Sequence, residues 1–305
     1  MQIIDAHQHF WDLDHNHLPW LKNEPPIPFR YGDYSALKRN YMPEDYRRDS
    51  AGFEVVGTVF VETEWDPRDP LGEVAWVDAL RREHGLPNVM VAQAWLNRDD
   101  AEIVLAAHGR HPLVRGIRHK PRAAPSPDAV VAGAPGSMGD PAWRRGYAML
   151  ARNGLSFDLQ TPWWHLHEAR LLADDFPETQ IVLNHTGLPA DRSEEGLQGW
   201  RAAMRILAGA PNVAVKISGL GQAGRPWSLE ANRSIVLDTI DMFGVERAMF
   251  ASNFPVDSLV GDFAGIFSGF DAITSGFSAA EREALFRGNA QRIYRIPESA
   301  LGHAA

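Results

Sequence analysis

The sequence predicts a (β/α)₈ TIM barrel, on the strength of three observations. Short apolar, β-branched runs recur along the chain, segments of helical periodicity lie between most of them, and the runs number eight. Strands that are apolar on both faces and are followed by helices imply a parallel sheet with helical crossovers. Eight such repeats in 305 residues suit a closed barrel, which typically needs about 250 residues plus insertions. We expect one domain over residues 1–305, because no linker-like tract divides the chain.

The predicted strands cover residues 3–6, 55–61, 89–94, 113–117, 155–159, 180–183, 213–217 and 248–251. Helical periodicity predicts helices over residues 71–84, 140–153, 167–176, 195–208 and 229–243. An open, doubly wound sheet is the competing architecture. It requires a Gly-rich turn after the first strand, whereas His7-Gln8-His9 and then Phe10-Trp11-Asp12 follow here, so the barrel is favoured.

Two segments are longer than the strand–helix repeats of a minimal barrel require. Residues 14–46 form a long insertion after the first strand that is rich in proline and aromatic residues, and we expect it to cover or wall the barrel mouth. Residues 121–141 are rich in Pro, Ala, Gly and Ser and predict a loop after the fourth strand. In a barrel both segments lie on the face that carries the catalytic groups.

Composition excludes several classes of function. The formal net charge of −9, without a basic stripe, argues against a nucleic-acid partner, and the absence of cysteine excludes thiolate metal sites and cysteine nucleophiles. The sequence shows no secretory signal and no apolar run of membrane-spanning length. We therefore expect a cytoplasmic protein with a small-molecule substrate and no membrane partner, and the sequence leaves a homo-oligomer open.

The first strand runs into a pair of histidines, His7 and His9. Because side chains alternate along a strand, two imidazoles separated by one residue point the same way and converge on one point. Convergent neutral imidazoles are the commonest protein ligands for zinc and similar ions. A polar strand end with two partly exposed histidines is the alternative.

Nearly every predicted strand ends in an ionisable or amide side chain. This recurrence favours a catalytic cleft at the barrel mouth built from His7, His9, Glu62, Glu64, Gln93, Arg118, His119, Lys120, Asp158, Gln160, His185, Lys216, Ser218 and Asn253. The other histidines fall in loops or on helix faces and are predicted to be surface or packing residues: His15, His17, His84, His108, His111, His165, His167 and His303.

Three potentially cationic side chains, Arg118, His119 and Lys120, follow the fourth strand. Such a cluster could bind a substrate carboxylate or stabilise a developing oxyanion. A solvated basic turn paired with acids such as Glu62 is the alternative reading. Lys216 lies in an apolar strand, where it either serves the cleft or only neutralises an internal carboxylate.

Five ordered motifs stand out along the chain: Ile4-Asp5-Ala6-His7-Gln8-His9-Phe10-Trp11, Gly116-Ile117-Arg118-His119, Val182-Leu183-Asn184-His185-Thr186-Gly187, Ala251-Ser252-Asn253-Phe254-Pro255-Val256 and Gly288-Asn289-Ala290-Gln291-Arg292-Ile293-Tyr294. Together they resemble the amidohydrolase superfamily, in its amidohydrolase-2 branch, which includes sugar-acid lactonases and pyrone dicarboxylate lactonase. The resemblance implies that His7, His9 and His185 hold a divalent metal or bind the substrate carbonyl. It also implies that a carboxylate after strand eight activates water.

The eighth strand departs from the family pattern. The family usually shows Ser-Asp-Trp-Pro there, whereas this chain has Asn253 in place of the aspartate. An amide cannot accept a proton near neutral pH, so Asn253 is predicted to bind substrate rather than act as a base. The catalytic base is then Asp257 or another carboxylate, or His185 in a metal-free site, or hydrolysis has been lost.

The resemblance implies a lactonase-type hydrolase that acts on a small, polar cyclic ester, with Glu62, Arg118, His119, Lys120 and Asn253 as substrate-binding residues. One zinc or manganese ion on His7, His9 and His185 is compatible with the sequence, and so is catalysis without a metal. Two alternatives are a decarboxylase of an aromatic or unsaturated acid on the same barrel and a non-catalytic small-molecule binding protein, the latter suggested by Asn253.

Overall fold

A computed structural model describes residues 1–302 and contains one sheet of eight parallel strands in the order β1 to β8. The strands are β1 Gln2–Gln8, β2 Glu54–Val61, β3 Val89–Gln93, β4 Val114–Arg118, β5 Ser156–Leu159, β6 Ile181–Leu183, β7 Val213–Ile217 and β8 Ala248–Phe250. Each contains most of a predicted run, which confirms the barrel. His303 lies outside the described residues.

Helices alternate with the strands and cover the outside of the sheet. They are α1 Pro19–Lys22, α2 Pro43–Asp49, α3 Gly72–His84, α4 Ala101–Arg110, α5 Pro141–Tyr147, α6 Leu166–Asp175, α7 Glu194–Ala208, α8 Leu229–Phe243, α9 Phe263–Ile273, α10 Ala279–Glu283 and α11 Asn289–Ile293. Side-chain caps fix several starts: the Ser193 hydroxyl accepts from the Gly196 amide, and the Ser228 hydroxyl accepts from the Ala231 amide. The predicted helix over 140–153 is shorter, because a single 3₁₀ turn replaces its last residues.

The seam between β1 and β8 brings the residues that follow the last strand beside the end of the first strand at the mouth. The Asn253 amide donates to the His7 carbonyl at 2.8 Å, and the His9 amide donates to the Phe254 carbonyl at 2.8 Å. These backbone bonds lie just beyond the regular strands. They place the residues after strand eight directly beside the first-strand histidines.

The barrel interior contains an ion pair among apolar side chains. Lys216 Nζ lies 2.7 Å from Asp158 Oδ2, and both side chains are fully buried. Asp158 also accepts hydrogen bonds from the Tyr294 hydroxyl (2.9 Å) and from Asn184 Nδ2 (2.9 Å). Of the two readings of Lys216, the structure therefore shows neutralisation of an internal carboxylate.

Both predicted extra segments are folded. The insertion over residues 14–46 contains α1 and a 3₁₀ turn at Ser35–Leu37, and its aromatic side chains pack on one another, with Trp20 stacked on Phe29 at 5.8 Å between ring centroids. His165, which is buried, fixes the 121–141 loop by accepting from the Ala124 amide at 2.8 Å. Among residues 1–302, no helix is long and apolar enough to cross a membrane.

Candidate active site

The imidazoles of His7 and His9 meet at the end of β1. Their Nε2 atoms are 3.2 Å apart, and both side chains are buried. His9 Nδ1 lies 2.7 Å from the Val61 carbonyl, which can only accept, so Nδ1 carries the proton and Nε2 is the acceptor. Burial lowers the pKa of His9 to about 3 and lowers the pKa of His7 well below its usual range. Both rings are therefore neutral at physiological pH.

His185 approaches the pair from the end of β6. Its ring centroid is 4.7 Å from that of His7, and its Nδ1 lies 2.9 Å from the Ser218 hydroxyl. His185 has φ +55°, in the left-handed region that a non-glycine residue adopts only at a cost. Burial, together with the charges of Arg30 and Arg118, lowers its pKa well below the usual range. The structure thus brings the three predicted histidines together as neutral imidazoles.

Arg118 lines the same cavity as His9 and His185. Its Nε donates to Glu62 Oε1 at 2.5 Å, its Nη2 donates to the Glu62 carbonyl at 2.5 Å, and its Nη1 donates to Gln160 Oε1 at 3.0 Å. A guanidinium has five N–H donors, so two remain for a ligand. The buried ion pair with Glu62 fixes the direction in which these donors point.

His119 and Lys120 are placed differently from Arg118. His119 Nδ1 accepts from the Leu96 amide at 3.1 Å, and its ring packs between Trp95 and Trp143, where burial lowers its pKa to about 4. Lys120 forms an ion pair with Glu64. The three residues of the predicted basic cluster therefore do not face a single cavity. Arg118 and Lys120 line the cavity beside the histidines, whereas His119 lines an adjoining cavity.

Asn253 links the histidine pair to a buried carboxylate. Its side chain hydrogen-bonds His9, and its Nδ2 donates to Asp257 Oδ1 at 2.6 Å. Asp257 Oδ1 also accepts from the Tyr31 hydroxyl at 2.9 Å, with Arg30 Nη2 at 3.7 Å. Burial raises the pKa of Asp257, an effect that these donors oppose. Asp257 is 1% exposed and lies behind Asn253.

A cavity of about 270 Å³ joins these groups at the barrel mouth and suits a small ligand. It is lined by His9, His185, Asn253, Arg118, Lys120, Glu64, Gln160 and Thr63, together with residues of the insertion that include Trp11, Trp20, Phe29 and Arg30. The expectation that the insertion walls the mouth matches this lining. An adjoining cavity of about 460 Å³ shares Arg118, Lys120 and Trp20 with it and contacts Glu62, Gln93 and His119.

Arg30 and Tyr31 are functional candidates that the sequence did not single out. Arg30 lines the cavity, its guanidinium lies 4.5 Å from the centroid of the Tyr31 ring, and Tyr31 holds Asp257. Neither residue follows a strand. The signal that could have found them is the aromatic, Pro-rich character of residues 14–46, which predicted a wall without naming its polar groups.

The residues present satisfy part of a metal site. Two nitrogens bound tetrahedrally to one zinc at about 2.0–2.1 Å lie about 3.3 Å apart, close to the 3.2 Å between His7 and His9. However, His7 Nδ1 is buried without the hydrogen-bond acceptor that metal-bound histidines almost always have. In the described part of the chain, no group of three or more His, Asp or Glu side chains is arranged to hold an ion. The metal on His7, His9 and His185 stays a prediction.

Buried imidazoles and an arginine at the carboxyl ends of barrel strands are the arrangement of a barrel enzyme. The amidohydrolase family model matches residues 4–296, and the chain belongs to that family. This match confirms the resemblance that the five motifs carried.

Curated relatives match over almost their whole length. An uncharacterised protein, y4mH, from Sinorhizobium fredii is 42% identical over 96% of this chain and 98% of its own. An L-fucono-1,5-lactonase from Burkholderia multivorans is 28% identical over 97% of each chain. An L-fucono-1,5-lactonase from Burkholderia ambifaria is 29% identical over 96% of this chain and 95% of its own.

Solved structures show the same barrel. An amidohydrolase from Burkholderia multivorans with bound zinc has a TM-score of 0.79 and 27% identity, covering 97% of this chain and 100% of that one. A 2,6-dihydroxybenzoate decarboxylase complexed with 2,6-dihydroxybenzoate has a TM-score of 0.64 and 14% identity over 97% of this chain and 100% of its own, a similarity that shows the fold alone. The chain is thus a member of a hydrolase family, and two curated relatives that it resembles over almost its whole length are lactonases.

Proposed function

We propose that this protein hydrolyses a small polyhydroxylated lactone by adding water to the ring carbonyl at the barrel mouth. The observation that carries the proposal is the neutral imidazole of His185, which faces the same cavity as the two uncommitted N–H donors of Arg118. The sugar-derived 1,5-lactone class is taken from the two relatives that are 28–29% identical.

In this proposal His185 is the general base. It takes a proton from the attacking water while the Ser218 hydroxyl holds its ring, and a C–O bond forms at the lactone carbonyl. The carbonyl oxygen becomes an oxyanion that Arg118 stabilises by charge-assisted hydrogen bonds. The ring C–O bond then breaks, and the alkoxide that leaves receives the proton from His185, which gives a hydroxy acid.

His9, Asn253 and Asp257 act around this centre. His9 and Asn253 line the cavity and are placed to orient the carbonyl and the substrate hydroxyls. Asp257 does not reach the ligand directly, because Asn253 Nδ2 occupies its Oδ1. We assign Asp257 the role of positioning Asn253. Glu64, Lys120 and Gln160 supply further polar groups suited to hydroxyl recognition.

The test is a panel of sugar lactones and pyrone-type lactones followed by acid release. His185→Ala should lower kcat/KM roughly 10²- to 10⁴-fold, the usual contribution of a general base. His167→Ala is the matched control, because His167 is exposed on α6 and should leave the rate unchanged. Equal rates in the wild type and His185→Ala would rule out the assignment.

The same panel separates the other readings. Gas evolution from hydroxybenzoate-like acids, without acid release from lactones, would indicate a decarboxylase. Ligand binding without turnover would indicate a binding protein. The predicted zinc or manganese ion is tested by metal analysis and chelation: activity that is lost with the ion and returns with it supports the ion, and activity that survives its complete removal refutes it.

A further inference from the structure

A separate cavity of about 640 Å³ opens beside the catalytic one, and we call it the arginine cavity. Its charged lining consists of three arginines, Arg30, Arg192 and Arg225, accompanied by Tyr31 and Trp164. No aspartate or glutamate lines it in the described part of the chain. Since the whole chain has a formal net charge of −9, this is a local excess of positive charge against the overall balance.

Arg192 is the least satisfied of these side chains. Its Nη2 donates to the Leu220 carbonyl at 3.0 Å and reaches Asn232 Oδ1 at 3.4 Å, while its Nε and Nη1 are buried without any partner. Within residues 1–302, no carboxylate forms an ion pair with it. Burial lowers the pKa of Arg192 to about 10, so the group stays charged at neutral pH. A charge that is part buried and unpaired is costly for the fold unless something else compensates it.

Arg30 is held on the same wall as Arg192. Its Nη1 reaches the Gly219 carbonyl at 3.4 Å, so consecutive backbone carbonyls, of Gly219 and Leu220, fix the two guanidiniums around Tyr31. The Arg30 side chain is 25% exposed and also lines the catalytic cavity. The two cavities therefore share a cation.

We propose that the arginine cavity binds an oxyanion, such as a phosphate or carboxylate group of a small molecule, between Arg192 and Arg30. Planar guanidinium groups are the preferred partners of both anions, because their N–H donors match the oxygen geometry. An anion bound there would supply the negative charge that Arg192 lacks, since no carboxylate of residues 1–302 pairs with it. Its source is either free phosphate or the carboxylate of a hydroxy acid, the product class of the proposed reaction. Anion binding itself does not require the proposed function to hold.

The experiment measures anion binding to the whole protein by calorimetry and by thermal shift. Sodium phosphate and sodium gluconate are the probes, and sodium chloride at matched ionic strength corrects for screening. We expect Tm to rise with probe concentration, because a ligand that binds the folded state stabilises it. Binding of phosphate indicates a free anion, and binding of gluconate alone indicates the acid of a sugar. Either result supports the site, and a response no larger than that to chloride overturns it.

Variants locate the binding. Arg192→Gln should raise the dissociation constant roughly ten- to hundredfold, the range for losing a charged hydrogen bond. Arg205→Gln, which removes an exposed arginine of α7, should change it less than about twofold. Arg192→Lys keeps the charge and guards against misfolding of the glutamine variant, and Tm without anion reports the fold of each. Equal affinity in the wild type and both Arg192 variants overturns the proposal, whether or not the protein cleaves lactones.

Discussion

Asn253→Asp is the substitution whose outcome the structure determines most sharply. In the wild type, Asn253 Nδ2 donates to Asp257 Oδ1 at 2.6 Å, and both side chains are buried. Aspartate replaces that donor with a carboxylate oxygen, so that two carboxylates face each other without a hydrogen between them. Arg30, 3.7 Å from Asp257, is too distant to serve as a full partner for both carboxylates.

The magnitude follows from Coulomb's law. Two charges centred about 4 Å apart repel by about 4 kcal/mol at an effective dielectric constant of 20. Losing the charge-assisted hydrogen bond adds about 1.5–3 kcal/mol. The folded variant relieves the repulsion by retaining a proton that the unfolded chain has already released. Its unfolding free energy relative to the wild type should therefore recover as pH falls, by about 1.4 kcal/mol per pH unit.

The assay is urea unfolding of the wild type, Asn253→Asp and Asn253→Ala between pH 5 and 8. We expect Asn253→Asp to lose about 5.5–7 kcal/mol of unfolding free energy at pH 8 and to regain much of that loss at pH 5. Asn253→Ala removes the hydrogen bond without adding a charge, so its loss of about 1–3 kcal/mol should change with pH much less than the loss in Asn253→Asp, through Asp257 alone. A loss in Asn253→Asp that changes with pH no more than the loss in Asn253→Ala would refute the reasoning.

Three further outcomes are expected. Gly219→Ala should lower the free energy of unfolding by about 1–3 kcal/mol and lower kcat/KM, because φ is +61° and the new Cβ would lie 2.6 Å from His185 Nδ1. Its control, Gly224→Ala, has open space around the new Cβ and should retain activity. Lys216→Met should cost about 3–5 kcal/mol in urea unfolding by stranding Asp158, and adding Asp158→Leu should recover most of that cost. The three imidazoles of the site have lowered pKa values, so as pH falls they take up protons in the unfolded chain before they do so in the folded protein. At pH values below about 6.5, the free energy of unfolding should therefore decrease by up to about 4 kcal/mol per pH unit.

The strands could be predicted because both of their faces are buried, which leaves short apolar runs between helices. Helix α4 was less visible, since Ile103 is 73% exposed and disturbs the apolar stripe formed by Val104 and Leu105. The strand-end histidines could be predicted for a related reason. A barrel brings the carboxyl ends of all its strands to one mouth, so position along the chain determines position in the site.

The contacts of the insertion could not be predicted in this way. Tyr31 reaches Asp257 across 226 positions of sequence, and nothing periodic in residues 14–46 records that pairing. The place of Asp257 was hidden for a different reason. The Asp257 amide donates to the Asn253 carbonyl at 3.1 Å in a tight turn, which folds the carboxylate back onto the Asn253 amide instead of into the cavity.

Asn253 therefore changes the charge balance of the site as well as its supply of bases. With an amide at this position, Asp257 accepts hydrogen bonds from Asn253 and Tyr31 with Arg30 nearby, and the wall that faces His9 holds no second carboxylate. With a carboxylate there, the same wall would need a shared proton or a bound cation to separate two negative charges. The amide removes that requirement. It leaves the neutral imidazole of His185 facing the same cavity as Arg118, and this is why the proposed reaction assigns proton transfer to His185.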